Sequence, residues 1–114
     1  MGAIINPRDW GKPDDRWHGE IEGAPYGAGL SLIFNVQERV GAGPRLHRHP
    51  YPETFIVRAG RGLFTIGDIT VEATAGQILV APANTPHKFA NLGPGLLESI
   101  DIHASETFVT EWLE

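Results

Sequence analysis

The sequence predicts an all-β fold, a small barrel of antiparallel strands in the jelly-roll class. Two observations carry this. Several short segments alternate apolar and polar residues with period two, the repeat of a strand that buries one face. Between them, turn signals recur about every 8–12 residues, a spacing that suits a sandwich or barrel. The 14 glycines and 9 prolines among 114 residues favour tight turns over long helices. This length supports one domain with one core. The expected organisation is an N-terminal arm over residues 1–29 followed by a single barrel over residues 30–114.

In the arm, Pro7, Pro13 and Pro25 interrupt any helix, and Gly19, Gly23, Gly27 and Gly29 punctuate the remainder. Trp10 and Trp17 are large apolar groups in a polar stretch, suited to covering the outside of the barrel or a neighbouring subunit. Trp17 to Ile21 reads as one short strand. His18 is a lone histidine and is not expected to bind a metal.

Leu30 to Val40 is the first long strand. Leu30, Leu32, Phe34, Val36 and Val40 mark an apolar face, and Asn35, Gln37 and Arg39 share the other, as in one wall of a half-buried sheet. Gly41-Ala42-Gly43-Pro44 turns the chain into His47-Arg48-His49-Pro50-Tyr51-Pro52-Glu53. Thr54 to Ala59 continues as a strand, with Phe55 and Val57 facing in with Glu53, and Ile56 facing out. An outward apolar residue needs cover, which motivates the expectation of a homodimer. Leu63–Ile66 and Ile69–Glu72 form a hairpin around Gly67-Asp68. Gln77 to Ala81 is a short strand closed by Pro82. His87, Phe89 and Asn91 share one face of the next strand. Leu96 to His103 is the last long strand, with Leu97, Ser99, Asp101 and His103 on one side. Asp101 and His103 could form a polar pair. The tail from Thr107 to Glu114 packs on the barrel as a short strand or one helical turn. Eight or nine strands result.

The formal net charge is −5, and the nine basic residues are scattered. That argues against nucleic acid as a partner, since such binding rests on neutralising phosphates. No apolar run approaches a membrane span, and the N-terminus shows no basic start followed by an apolar core. The expected location is the cytoplasm. With no cysteine, any metal must be held by nitrogen and oxygen.

The chemistry concentrates in the His47–Glu53 stretch. In an extended chain His47 and His49 point to one side, and Glu53 keeps that phase if the two prolines do not shift it. Two imidazoles and a carboxylate are a good set for a divalent ion, and His87 is the best fourth ligand. Four ionisable groups aimed into a small barrel would be costly to bury unpartnered, and a dication removes that cost for all of them. Three imidazoles and one carboxylate leave about two coordination positions open if the ion is octahedral, which is what an active site needs. Fe, Mn, Ni, Cu, Co or Zn as divalent ions all suit such ligands. The bound ion keeps about one positive charge and should attract an anionic or enolisable small molecule with two chelating oxygens. Phe55, Val57, Phe89 and Tyr51 are the expected pocket-lining residues; plain core packing suits Phe55, Val57 and Phe89 equally, and Tyr51 is better suited to filling the Pro-Tyr-Pro bend. Arg48 is expected on the surface.

The glycines around the ligands complete two strings, G-x5-H-x-H-x3-E-x6-G from Gly41 to Gly60 and G-x5-P-x-N-x2-H-x3-N from Gly76 to Asn91. The first resembles the first signature of the cupin superfamily at every fixed position. The second resembles the other signature, except that Asn84 stands where the pattern has Gly, and Asn is the next-best residue for a positive φ. The resemblance covers about half the chain. It implies a conical double-stranded β-helix with the metal inside, held by His47, His49, Glu53 and His87. Asn91 belongs to it and is expected to hydrogen-bond backbone at a turn. The function it implies is a metal-dependent enzyme acting on a small molecule, with a dioxygenase-like oxidoreductase as first choice. A non-redox Lewis-acid isomerase, cyclase or decarboxylase is the runner-up. A binding module that holds a metal or small molecule without turnover is the competing class.

Overall fold

The computed structural model describes residues 2–11 and 16–114. Among the described residues the alternating segments become ten strands: β1 (Gly19–Ile21), β2 (Ser31–Gln37), β3 (His47–Arg48), β4 (Glu53–Ala59), β5 (Arg61–Ile66), β6 (Ile69–Thr74), β7 (Ile78–Ala81), β8 (His87–Asn91), β9 (Leu97–His103) and β10 (Glu111–Trp112). They pair antiparallel into two five-stranded sheets, β1-β2-β9-β4-β7 and β10-β3-β8-β5-β6. The fold is the expected all-β jelly-roll barrel.

The core follows from period two on strands of both sheets. Phe55 and Val57 of β4, Phe64 of β5, Ala73 of β6, Ala81 of β7, Phe89 of β8 and Leu97 of β9 form one buried cluster. Phe64 stacks on Phe89 at 5.0 Å between ring centroids, and Phe55 meets both edge-on. Such arrangements suit aromatic quadrupoles. Gly60 makes the turn between β4 and β5. Its φ is +79°, and a Cβ there would lie 2.0 Å from the Leu96 carbonyl oxygen. Only glycine meets both demands.

β2 departs from the simplest reading of its pattern. Its alternation is as expected, over a shorter span, but the polar side chains point into the barrel. Asn35 pairs with Ser99 and Ile33 with Asp101 across the β2–β9 ladder, and Ile33, Asn35 and Gln37 border an interior cavity. Phe34 faces outward, where Trp10 packs on it at 4.1 Å and Trp17 edge-on at 5.5 Å. Arg58 of β4 lies over the Trp17 ring, 4.5 Å from its centroid. Two buried faces explain this. The arm shields the outer one, while the inner one borders a polar site, so hydrophobicity marks the outside of this strand. β1 pairs directly with β2, so the arm adds a strand to the sheet.

Candidate metal centre

Each candidate ligand residue reaches the centre by a different local device. His47 of β3 stands directly opposite His87 of β8 in the second sheet. His49 follows β3 in the bend before Pro50. Glu53 opens β4 in the first sheet, facing His103 of β9 and Ala81 of β7. The loop between β7 and β8 is locked by Asn84, whose φ is +63° and whose N–H donates to the His49 carbonyl at 2.7 Å. Asn therefore serves at the one position where the second string lacks glycine. The barrel thus brings together His47, His49, Glu53 and His87, all buried, with ligand atoms within 4.8 Å of one another.

The outer nitrogens of the three imidazoles settle their tautomers. Nδ1 of His47 lies 2.7 Å from the Arg45 carbonyl, Nδ1 of His49 lies 2.9 Å from that of Val109, and Nδ1 of His87 lies 2.8 Å from that of Thr85. A carbonyl only accepts, so each Nδ1 carries a proton and each ring turns Nε2 to the centre, where it can bind a metal when bare and hydrogen-bond Glu53 when protonated, as the His87–Glu53 contact does at 3.0 Å. His49 Nε2 is 2.9 Å and His87 Nε2 3.0 Å from the same Glu53 oxygen. The His49 contact is close but badly angled, and that nitrogen lacks a hydrogen-bond partner among the described residues. Nε2 atoms and a carboxylate oxygen converging on one buried point suit a cation between them. Backbone carbonyls behind the rings are the outer support that metal-bound histidines use. The donor set fits a divalent first-row ion.

Charge reinforces the fit. Burial lowers the His47 pKa, against the bond from its Nδ1 to Arg45, and so favours the neutral ligand form. Burial alone would push the Glu53 carboxyl up, but contacts from His103, His49 and His87 outweigh it and hold the group far below the usual carboxylate range.

The fifth histidine, His103, is also buried at this centre. Its Nε2 lies 3.2 Å from the second Glu53 oxygen, and its Nδ1 lies 2.6 Å from the Tyr51 hydroxyl. That hydroxyl accepts the Val109 N–H at 3.2 Å. Burial raises the Tyr51 pKa, and the protonated hydroxyl shares a hydrogen bond with Nδ1. His103 Nε2 thus stands against the second Glu53 oxygen but, like that of His49, makes no hydrogen bond among the described residues. His103 and Asp101 share a face but do not pair with each other: the Asp101 carboxyl accepts from Ser99 at 2.7 Å. The period-two pattern of the last strand put both residues on one face. The β4–β9 register that sets His103 opposite Glu53 is a long-range pairing with no local signal.

The cavity beside the centre has a volume of about 400 Å³. Glu53, His47 and His49 occupy one side, Asn35, Gln37 and Asp101 form a polar strip on the first sheet, and Phe89, Phe108 and Trp112 supply apolar surface. Of the four expected lining residues, Phe89 borders this cavity. Phe55 and Val57 lie in the apolar cluster beyond the ligands, and Tyr51 lies behind His49, stacked on its ring at 5.0 Å. The tail takes part instead, since β10 pairs with β3 and carries Trp112 beside His47. Arg48 is on the surface, bonded through two nitrogens to Glu111 of β10. Asn91 donates to the Gln37 and Gly95 carbonyls and accepts from the Gly93 N–H, which ties down backbone turns as expected. His18 is exposed, away from the centre. Among the described residues no helix is long and apolar enough to cross a membrane.

Known proteins place this geometry in a family. A double-stranded β-helix protein from Klebsiella pneumoniae superposes with a TM-score of 0.74 at 18% identity, covering 96% of this chain and 89% of its own. A cupin-like protein from Thermotoga maritima gives 0.65 at 26% identity, over 75% of this chain and 65% of its own. Oxalate decarboxylase of Bacillus subtilis gives 0.75 at 19% identity over 83% of this chain, which spans only 27% of that enzyme. An uncharacterized protein of Methanocaldococcus jannaschii is 36% identical over 55 residues, 47% of this chain and 44% of its own. Residues 33–103 match the cupin domain, and the chain belongs to that family.

Proposed function

We propose that this cupin is a metal-dependent enzyme acting on a small molecule that bears two chelating oxygens. One observation carries the reading: three imidazoles with their Nδ1 atoms committed to carbonyls turn their Nε2 atoms toward one buried carboxylate beside a cavity of about 400 Å³. A bound ion would supply a Lewis-acid centre with open positions and, if redox-active, a site for dioxygen chemistry. The protein holds the ligands, while Phe89, Phe108 and Trp112 exclude water from one side of the substrate. The first reading is a dioxygenase-like oxidoreductase. Protein purified without added metal should contain a first-row ion by elemental analysis. Reconstituted anaerobically with Fe(II), it should consume oxygen with a member of a panel of diketones, catechols and flavonols. A panel with no oxygen uptake removes this reading.

A second reading is non-redox chemistry of the isomerase, cyclase or decarboxylase kind, and Asp101 favours it. Burial and the nearby Glu53 charge push the Asp101 carboxyl well above its usual range, against the Ser99 bond, and a neutral acid in the cavity suits proton transfer. Turnover with Zn(II) in the absence of oxygen would identify this class. Tight binding without turnover would identify a carrier. We further infer a homodimer, with the apolar outer face of the first sheet as its interface.

A further inference from the structure

We propose that Asp101 contacts the bound substrate, hydrogen-bonding an oxygen that points away from the metal ligands and acting as the proton donor of the reaction. This rests on the reading of the site as a metal-dependent enzyme and names its substrate class, a small carboxylate with oxygens at both ends.

A chain of hydrogen bonds that runs one way supports the proposal. Gln37 Nε2 donates to Asn35 Oδ1 at 2.8 Å, Asn35 Nδ2 donates to Ser99 Oγ at 3.1 Å, and Ser99 Oγ donates to Asp101 Oδ1 at 2.7 Å. Ser99 has one proton and spends it on Oδ1. Among the described residues no other side chain or backbone group hydrogen-bonds the Asp101 carboxyl. Asp101 is only 2% exposed, yet it borders the cavity. A charged carboxylate so buried, with a single hydrogen bond, would be costly, and burial favours the neutral acid. The proton then sits on Oδ2, which needs an acceptor that the protein does not provide. Other ionisable groups on this side are Glu53, His49 and His103 at the centre, Tyr51 behind them, and Glu20 at the cavity edge. None is bonded to Asp101.

A substrate held by two oxygens at the ligand end would present its distal oxygens to this strip. In the oxygen-independent reaction the bond between a carboxylate carbon and its neighbour breaks, carbon dioxide leaves, and the electron pair stays on the neighbouring carbon. The Asp101 O–H bond then breaks, the proton joins the atom holding that pair, and the carboxylate left behind keeps the Ser99 hydroxyl. Water returns the proton when product leaves.

The test uses the full chain loaded with Mn(II), with malonate as probe and carbon-13 label in aspartate. Among the described aspartates only Asp101 is buried, so infrared spectra at neutral pH should show one protonated aspartic acid. Its band should be missing from Asp101→Asn and should shift when malonate binds. By calorimetry, Asp101→Leu should weaken malonate binding about ten-fold or more, whereas Asp101→Asn, whose amide can donate in place of the acid, should stay within about three-fold. The wild-type spectrum decides even if the leucine variant does not fold. Absence of a protonated aspartate, a band unmoved by saturating malonate, or undiminished binding by Asp101→Leu overturns the proposal. A wild type that takes up Mn(II) but not malonate overturns the substrate class. A wild type that takes up no metal overturns the reading beneath it, and the proposal falls with that reading.

Discussion

At the scale of single residues, one carboxylate does two jobs because its two oxygens have different partners. One oxygen of Glu53 faces His49 and His87, and the other faces His103, which Tyr51 holds in place. Removing a ligand should therefore damage metal binding more than folding. His87→Ala should weaken divalent-metal affinity at least about 100-fold, since loss of mere outer-shell partners already costs about 10–100-fold. Elemental analysis and circular dichroism together check this; full occupancy in the variant would remove His87 from the ligand set. Asp101 makes a prediction of opposite character. Its folded pKa lies above the unfolded value of 3.8, so the native state holds a proton that the unfolded chain releases. Stability from this group is present below that value and is lost as pH rises toward the folded pKa, with a slope of up to about 1.4 kcal/mol per pH unit. Asp101→Asn has no such proton. Urea unfolding of the metal-free proteins should show the variant gaining on the wild type as pH rises from about 4 to 7, with the Glu53 contribution common to both. A constant difference across that range would mean Asp101 ionises normally.

At the scale of elements, the arm and β2 depend on each other. Trp10 and Trp17 cover Phe34, and Trp17 also lies under Arg58. Trp10→Ala should cost about 2 kcal/mol of unfolding free energy by urea titration, the partial loss of a large apolar contact, while leaving metal affinity within about two-fold. A neutral result would mean the arm is not part of the cooperative unit. β2 also shows how far the sequence could be read. The period-two alternation of Phe34 and Asn35 was legible, because side-chain direction along a strand is local. Which face met the cavity was not, because that depends on β9, whose Ser99 and Asp101 set the polarity of the inner wall. The same division holds at the site. Spacing grouped His47, His49 and Glu53, and the resemblance to the cupin signatures added His87. His103 and the Trp112 wall were hidden because sheet register and tail docking brought them in from the C-terminal end.

At the scale of the whole molecule, the outer face of the first sheet is more apolar than a free surface needs. Ile56 of β4 pairs with Ile78 of β7 and Ile100 of β9, and Thr54 pairs with Val80 and Ile102. The arm covers the region over Phe34 and reaches Arg58, but Ile78 is 63% exposed and Val80 53% on a strand that is also a sheet edge. An apolar strip on an open edge invites pairing, by strand addition or by face-to-face packing. A two-fold dimer would let the same strip on each copy cover the other. It would need to bury about 800 Å² on each partner to rank as a specific interface. Sedimentation equilibrium at micromolar concentration should therefore give twice the chain mass. Lysines placed jointly at Ile78 and Val80 should shift the protein to monomer. Because both side chains are exposed within one subunit, each replacement should change the monomer's own stability by less than about 0.5 kcal/mol. Wild-type protein that sediments as a monomer at tens of micromolar would refute the dimer. A lysine pair that leaves the dimer intact would move the interface off this strip.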